Sequence, residues 1–188
     1  MAIVYKLLYV ITVLLCLYSG IGSYNVLLTN ERINEYYENK SLLESIKVER
    51  EIPFGNTKIF CHTMFDIKVT EENLQLQRSF PIIYKITPEL AKIISVSCFC
   101  YIGLLIKLLY EFLFKRANHF DSRKIFPFFI LGILLGVLSY FLFVASPGFF
   151  LNNDLKEYKA FFFPLIGLIS GFLIEKFIAK LTTKFLPV

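Results

Sequence analysis

Apolar residues in this chain are gathered into four long blocks separated by polar segments. Residues 7–28 run for twenty-two positions without a charge, and residues 160–174 run for fifteen. Two further blocks cover residues 90–114 and 125–144. A helix that crosses a bilayer needs roughly 20 predominantly apolar residues. The pattern therefore predicts four transmembrane spans, the last completed by an amphipathic continuation at residues 177–179.

The longest polar segment, residues 29–89, begins with a helix signal. Asn30 is a suitable N-cap, and the apolar residues after it lie near one face of a helix. The Pro-Phe-Gly-Asn sequence at residues 53–56 is typical of a turn.

The rest of that segment has the alternation of β-structure. Apolar and polar residues alternate over residues 57–69, which predicts a half-buried strand. We expect a turn at residues 71–73 and a second strand over residues 74–86, interrupted by Pro81. A lobe of about sixty residues is small for independent stability, so we expect it to lean on the membrane, a neighbouring subunit or a partner.

These elements predict a mainly α membrane protein, a four-helix transmembrane bundle with a small α+β extracytoplasmic cap between spans 1 and 2. Residues 1–28 form the first span, residues 29–89 the cap, and residues 90–188 a three-span block with a basic cytoplasmic loop and tail. The alternative for the N-terminal block is a signal peptide cleaved after Ser23, for which the small-residue site is poor.

Composition supports this fold class. Hydrophobic residues make up 56% of the 188 residues and charged residues only 19%, against about 45–50% and about 25% in ordinary soluble domains. The chain has no Trp, so any aromatic belt at the membrane surface must use Tyr. The net charge of +5 comes largely from basic residues beside the spans, and direct nucleic-acid binding is therefore not predicted.

The distribution of Lys and Arg predicts the orientation. Cytoplasmic loops carry an excess of these residues. The link between the second and third spans has one acidic residue, Asp121, and four basic ones, Lys115, Arg116, Arg123 and Lys124. The C-terminal tail is also basic. We therefore expect both termini in the cytoplasm, with the cap on the other side of an inner bacterial membrane. The four cations are also candidates for contact with anionic lipid or with a cytoplasmic protein partner.

Two pairs of glycines predict close helix packing. Gly132 and Gly136 lie four residues apart in the third span, and Gly167 and Gly171 do so in the fourth. Small residues at this spacing let a neighbouring helix approach, within one protomer or between protomers. The alternative is the general frequency of glycine in transmembrane helices.

An intramembrane ion pair is a second candidate. Lys107 and Glu175 both lie about 22–24 Å from the outer ends of their spans, at one depth. The alternatives are that each side chain reaches the inner headgroups separately, or that Lys107 pairs with Glu111 on its own helix.

Catalytic and metal-binding patterns are weak. The four cysteines include no Cys-x-x-Cys spacing, and Cys61 and His62 fall on opposite faces of the predicted strand. We expect no enzyme activity, no metal and no cofactor.

The fourth span carries a resemblance to a known family. Its sequence from Gly167 through Gly171-Phe172 to Glu175-Lys176-Phe177 resembles the ends of small membrane modules in bacterial conflict systems. Together with four spans, an outer cap and a basic tail, it looks like the membrane subunit of the Kiwa anti-phage system. The resemblance implies an oligomer that responds at the membrane and docks a cytoplasmic DNA-binding partner.

The function expected from these features is that of a non-enzymatic, oligomeric membrane sensor or scaffold in antiviral defence. Its cap would detect an envelope perturbation such as phage attachment, and its basic loop would recruit the cytoplasmic partner. The alternatives are a toxin-immunity protein or accessory subunit of a larger membrane complex, and a small channel.

Overall fold

A computed structural model describes residues 2–55, 57–114, 125–145 and 159–173. The described residues are mostly helical, with one small two-stranded sheet. In chain order the elements are α1 (Ala2–Glu38), α2 (Lys40–Ser45), β1 (Lys47–Phe54), β2 (Thr57–Thr63), α3 (Met64–Ser79), α4 (Pro88–Phe114), α5 (Ile125–Ala145) and α6 (Phe162–Phe172).

Helix α4 is the centre of a helix bundle, because α1, α5 and α6 all pack against it. It contributes many of the most deeply buried residues, Ala91, Val96, Cys100, Tyr101 and Leu104. The second predicted span is a helix, and it begins at Pro88. The third predicted span is likewise a helix, α5, over nearly the predicted residues.

Two helices of the described chain are long and apolar enough, on length and composition, to cross a membrane. They are Leu7–Glu38 within α1 and Pro88–Tyr110 within α4. The apolar helices Phe129–Val144 and Phe162–Phe172 are shorter. The predicted continuation of the fourth span beyond residue 173 lies outside the described residues.

Strands β1 and β2 form an antiparallel hairpin in which Ile52 faces Ile59 and Phe54 faces Thr57. The predicted turn between them contains Gly55, whose φ of +57° is a left-handed conformation that glycine adopts without steric cost. One face of the hairpin packs on α3 through a small cluster of buried residues, Ile52, Cys61, Ile67 and Leu74.

The predicted helix start at Asn30 is wrong. Helix α1 continues without a break to Glu38, and the Asn30 side-chain amide donates to the Val26 carbonyl at 2.8 Å instead of capping. No Gly or Pro occurs between Ser23 and Glu38, so nothing in the sequence ends the helix there. The predicted first span and the start of the predicted cap are therefore one continuous helix.

The predicted strands after Thr63 are also wrong. Thr63 accepts a hydrogen bond from the Asp66 backbone N–H at 3.2 Å and donates to the Asp66 carboxylate at 2.7 Å, and this cap starts α3. The predicted turn at residues 71–73 is in the interior of that helix. Residues 80–86, assigned to a strand, form consecutive turns. Ile67 and Leu74 share the buried face of α3 because seven residues are two helical turns.

Candidate functional site: the glycine seam and the polar rim

The outer surface of the helix bundle is apolar. Large hydrophobic side chains are 43–68% exposed on the outward faces of several helices, including Leu7, Leu14 and Leu15 on α1, Leu134 on α5 and Ile169 on α6. Large apolar patches on a protein surface usually mark contact with a membrane or with another protein. Such a surface is suited to contact with lipid or with other protein chains.

The interior of the bundle combines large apolar side chains such as Val26, Val96 and Leu104 with small and weakly polar residues. The hydroxyls of Ser23, Ser95, Ser97 and Tyr101 are buried and have no hydrogen-bond partner among the described residues. Small residues are typical of helix interfaces in membranes, where close backbone approach replaces the hydrophobic effect as the driving force for association.

The four predicted glycines all lie against α4. A Cβ on Gly136 would overlap the backbone of Ser97, and a Cβ on Gly132 would lie 2.9 Å from the Tyr101 Cα. A Cβ on Gly167 would overlap the Val96 carbonyl oxygen, and one on Gly171 that of Cys100. Helix α4 thus receives α5 on one face and α6 on another.

Helix α4 contributes a glycine of its own to this contact. A Cβ on Gly103 would overlap the carbonyl oxygen of Leu168 in α6. We call the five residues Gly103, Gly132, Gly136, Gly167 and Gly171 the glycine seam. In the structure the seam joins helices within one chain.

A set of polar contacts closes the end of the bundle nearest the hairpin. Glu89, in the first turn of α4, receives the Lys92 ammonium group on one carboxylate oxygen at 2.8 Å. Its other oxygen accepts a hydrogen bond from the Tyr140 phenol of α5 at 3.1 Å. Lys92 also lies 5.7 Å from the centre of the Phe163 ring of α6, at the distance of a cation–π contact.

Glu31 extends this set to α1. Its carboxylate accepts a hydrogen bond from the backbone N–H of Ala160, just before α6, at 3.3 Å. We call Glu31, Glu89, Lys92 and Tyr140 the polar rim. Through its contacts, all four helices of the bundle are linked at one level.

The cap is tied to the bundle through the upper part of α1. The Arg32 guanidinium donates to both carboxylate oxygens of Glu72 in α3 at 3.3 Å, and the Tyr36 phenol lies 3.4 Å from one of them. The ammonium group of Lys68 lies 5.1 Å from the Tyr36 ring centre. Because Arg32 follows Glu31, the cap junction and the polar rim are adjacent on one rigid helix.

The neighbouring residues Cys61 and His62 lie in β2. Cys61 is buried at 2% exposure while the neighbouring His62 is exposed, so the two do not face each other. Within the described ranges, no group of three or more His, Cys, Asp or Glu side chains is arranged to hold a metal ion. The polar contacts connect helices to one another and to the cap.

The predicted ion pair lies partly outside the described residues. Lys107 is half-buried on α4, whereas Glu175 and the side chain of Glu111 are outside the described part of the chain. The same holds for the four predicted contact residues, Lys115, Arg116, Arg123 and Lys124. The ion pair and the basic contact surface remain predictions.

Sequence reasoning missed the polar rim and the cap junction. The one signal in the sequence was Glu89 directly after Pro88, a favourable acidic residue in the first turn of a helix. Its partner Tyr140 is fifty-one positions away. Finding the pair required the register of α4 against α5, which sequence spacing does not provide.

Comparison of the chain with protein-family models, curated proteins and solved structures finds no match in any of the three.

Proposed function

We propose that this chain is an integral membrane protein with four transmembrane helices that acts as a non-enzymatic sensor or scaffold. The observation that carries the proposal is the apolar exterior of the bundle, together with the glycines and buried hydroxyls at its helix contacts. Helices α1 and α4 are the two longest apolar elements, and α5 and α6 are held against α4 at the glycine seam. Because α5 and α6 are held this closely against α4, the helices would enter the lipid as one unit.

The proposed orientation places both termini and the basic loop in the cytoplasm of a bacterial cell, with the cap outside the inner membrane. The four cations between α4 and α5 support this orientation because such residues are retained on the cytoplasmic side. The hairpin and α3 lie at the opposite end of α4 from that loop, since α4 begins close to α3 and ends immediately before the loop.

The proposed mechanism is transmission of a cap displacement along α1. Glu72 in the cap holds Arg32, and the preceding Glu31 holds the start of α6. A force on α3 would therefore reach the polar rim without passing through a flexible linker. A shift of α1 against α4 would then alter the cytoplasmic end of the bundle, where the basic loop would bind its protein partner.

The resemblance to the Kiwa membrane subunit adds an expected context of anti-phage defence, in which the chain forms a homo-oligomer and docks a cytoplasmic partner. The test is the native mass of the detergent-purified protein, followed by phage challenge of cells that express it. A closed homo-oligomer, and protection lost when Lys115, Arg116, Arg123 and Lys124 are changed together to Gln, are expected. A matched control changes the cap residues Lys47 and Lys58, which are on the hairpin.

One observation favours the alternative of an accessory subunit or immunity protein. The N-terminal half of α1 exposes a broad apolar surface that includes Val4, Val10 and Ile11 at 45–68% exposure. The spans of another protein would fit there as well as lipid would. A monomer in native mass measurements, which forms a complex only with other membrane chains, would favour this alternative.

A further inference from the structure

The turn segment at residues 80–86, Phe-Pro-Ile-Ile-Tyr-Lys-Ile, connects α3 to α4 and is unusually apolar for a surface connection. It is also internally ordered. The Ile83 and Tyr84 N–H groups donate to the Phe80 carbonyl at 3.1 and 3.0 Å, and the Ile86 N–H donates to the Ile83 carbonyl at 3.0 Å. These bonds order the backbone of the turn.

The N-terminal part of the segment lies alongside the apolar part of α1, and its C-terminal end leads into the polar rim at Glu89. A Cβ on Gly22 would lie 2.8 Å from Ile83 Cδ1 and 2.9 Å from Phe80 Cδ1. The Phe80 ring centre is 5.5 Å from that of Tyr18. At a rise of about 1.5 Å per residue, Gly22 is about 14 Å from Glu31 along the helix, and about 5 Å from Asn25.

The side chains of the segment divide into an inner and an outer set. Ile83 is 7% exposed and belongs to the main core cluster together with Val26 and Leu76. Ile82, the next residue along the turn, is 81% exposed, more than any other large hydrophobic residue of the described chain. The ordered turn therefore holds Ile82 exposed, while the neighbouring Ile83 and Phe80 contact α1.

Tyr84 and Lys85, which follow Ile82 in the sequence, are residue types typical of a membrane surface. The Lys85 ammonium group lies 5.4 Å from the Tyr84 ring centre. Arg78, exposed at the end of α3, donates to the Pro53 carbonyl of β1 at 3.0 Å. Tyr rings and the long stems of Lys and Arg are favoured at headgroup level, where an apolar body and a polar end are both accommodated.

We propose that residues 80–86 form an interfacial wedge that inserts Ile82 among the acyl chains of the leaflet on the cap side. This inference rests on the proposed transmembrane bundle and goes beyond it, because it makes the cap a second point of contact with lipid. Its depth, a few ångströms inside the level of Asn25, is that of an interfacial element that does not span. Through α3, the wedge connects lipid packing in that leaflet to the junction between Arg32 and Glu72.

The absence of Trp from the chain allows a direct test. Single-Trp variants Ile82→Trp, Leu134→Trp and Leu42→Trp are reconstituted in phosphatidylcholine vesicles whose acyl chains carry bromine at a shallow or a deep position. Leu134 on α5 is 62% exposed and reports the bundle, while Leu42 on α2 is 64% exposed and reports the cap away from the wedge. All three sites are exposed, so substitution leaves the core intact.

We expect the shallow bromolipid to quench Ile82→Trp at least twofold more than the deep one, and at least threefold more than it quenches Leu42→Trp. A second outcome is that the bromolipids quench Leu134→Trp but quench Ile82→Trp no more than Leu42→Trp. That result would overturn the wedge and leave the membrane bundle standing. A blue-shifted Ile82→Trp emission that neither bromolipid quenches would also overturn it, because a protein surface would then cover the residue. Failure to quench Leu134→Trp would contradict the membrane bundle itself.

Discussion

The Tyr140 phenol donates a hydrogen bond to the Glu89 carboxylate at 3.1 Å, and this contact joins the C-terminal half of α5 to the first turn of α4. The same carboxylate holds Lys92 with its other oxygen. One acidic residue thus fixes the ends of two helices at the polar rim.

The Tyr140→Phe substitution removes this hydrogen bond and keeps the ring. Because the acceptor is charged, we expect the free energy of unfolding to fall by about 1.5–3 kcal/mol. The measurement is unfolding of the protein in lipid nanodiscs, with a double-mutant cycle that includes Glu89→Gln. Tyr37→Phe, at a ring that is 54% exposed, is the control and should cost less. Strictly additive effects of the Tyr140 and Glu89 substitutions would contradict the contact.

The glycine seam predicts a graded series of alanine substitutions. At Gly136 and Gly171 an added methyl group would overlap the backbone of α4, which cannot move aside locally. At Gly20 the nearest atoms are side-chain atoms of Cys98 and Phe99 at 3.1 and 3.2 Å, which have some freedom. We expect Gly136→Ala and Gly171→Ala to cost about 1–3 kcal/mol of stability, and Gly20→Ala less. Equal losses at all three positions would argue against backbone contact at the seam.

The bundle could be predicted from sequence further than the cap could. Long apolar runs determine where apolar helices form, and α4 and α5 follow the runs at residues 90–114 and 125–144 closely. In the cap, short apolar runs fit either the period of about 2 residues of a strand or the period of about 3.6 residues of a helix. Phe65 and Ile67 alternate with polar residues as a strand would, yet Thr63 caps a helix in front of them. The capping bond outweighs the alternation, and its sequence signal is Thr63 followed three residues later by Asp66.

The candidate site divides in the same way. The positions of the four predicted glycines were visible as a four-residue spacing, which is local along one helix. The contacts of Glu31, Glu89 and Arg32 join residues 40 to 129 positions apart. Such contacts depend on the rotation and register of whole helices, so no local pattern specifies them.

The junction between α1 and α3 predicts charge-swap rescue. Glu72 is only 15% exposed in its side chain and is held by Arg32. We expect Arg32→Glu and Glu72→Arg each to increase the rate of limited proteolysis in the cap severalfold, and the double swap to restore it partly. The exposed pair of Lys58 and Glu51 is the control, since surface ion pairs contribute about 0–1 kcal/mol. A double swap as sensitive as the worse single variant would contradict the junction.

The contact between α1 and α4 predicts a specific crosslink. Cys16 and Cys98 are buried together with Tyr101 in one cluster, and a Cβ on Gly20, about one helical turn after Cys16, would lie 3.1 Å from the Cys98 Cβ. Oxidation by copper phenanthroline and oxygen should therefore join them within one chain. The product is detected as a loss of two maleimide-reactive thiols in the unfolded protein. In the Cys98→Ser variant, oxidation should remove no maleimide-reactive thiols by this route. A loss of two thiols that persists in this variant would contradict the predicted pairing.

The central claim is that the chain crosses the membrane with its cap on one side and its basic loop on the other. Epitope tags inserted after Asn56 and after Ala117, each probed by protease in intact cells and in inverted vesicles, test it most directly. The account predicts that the tag after Asn56 is reached only from outside the inner membrane and the tag after Ala117 only from the cytoplasm. Both tags on the same side, or a protein recovered without detergent in the soluble fraction, would contradict it.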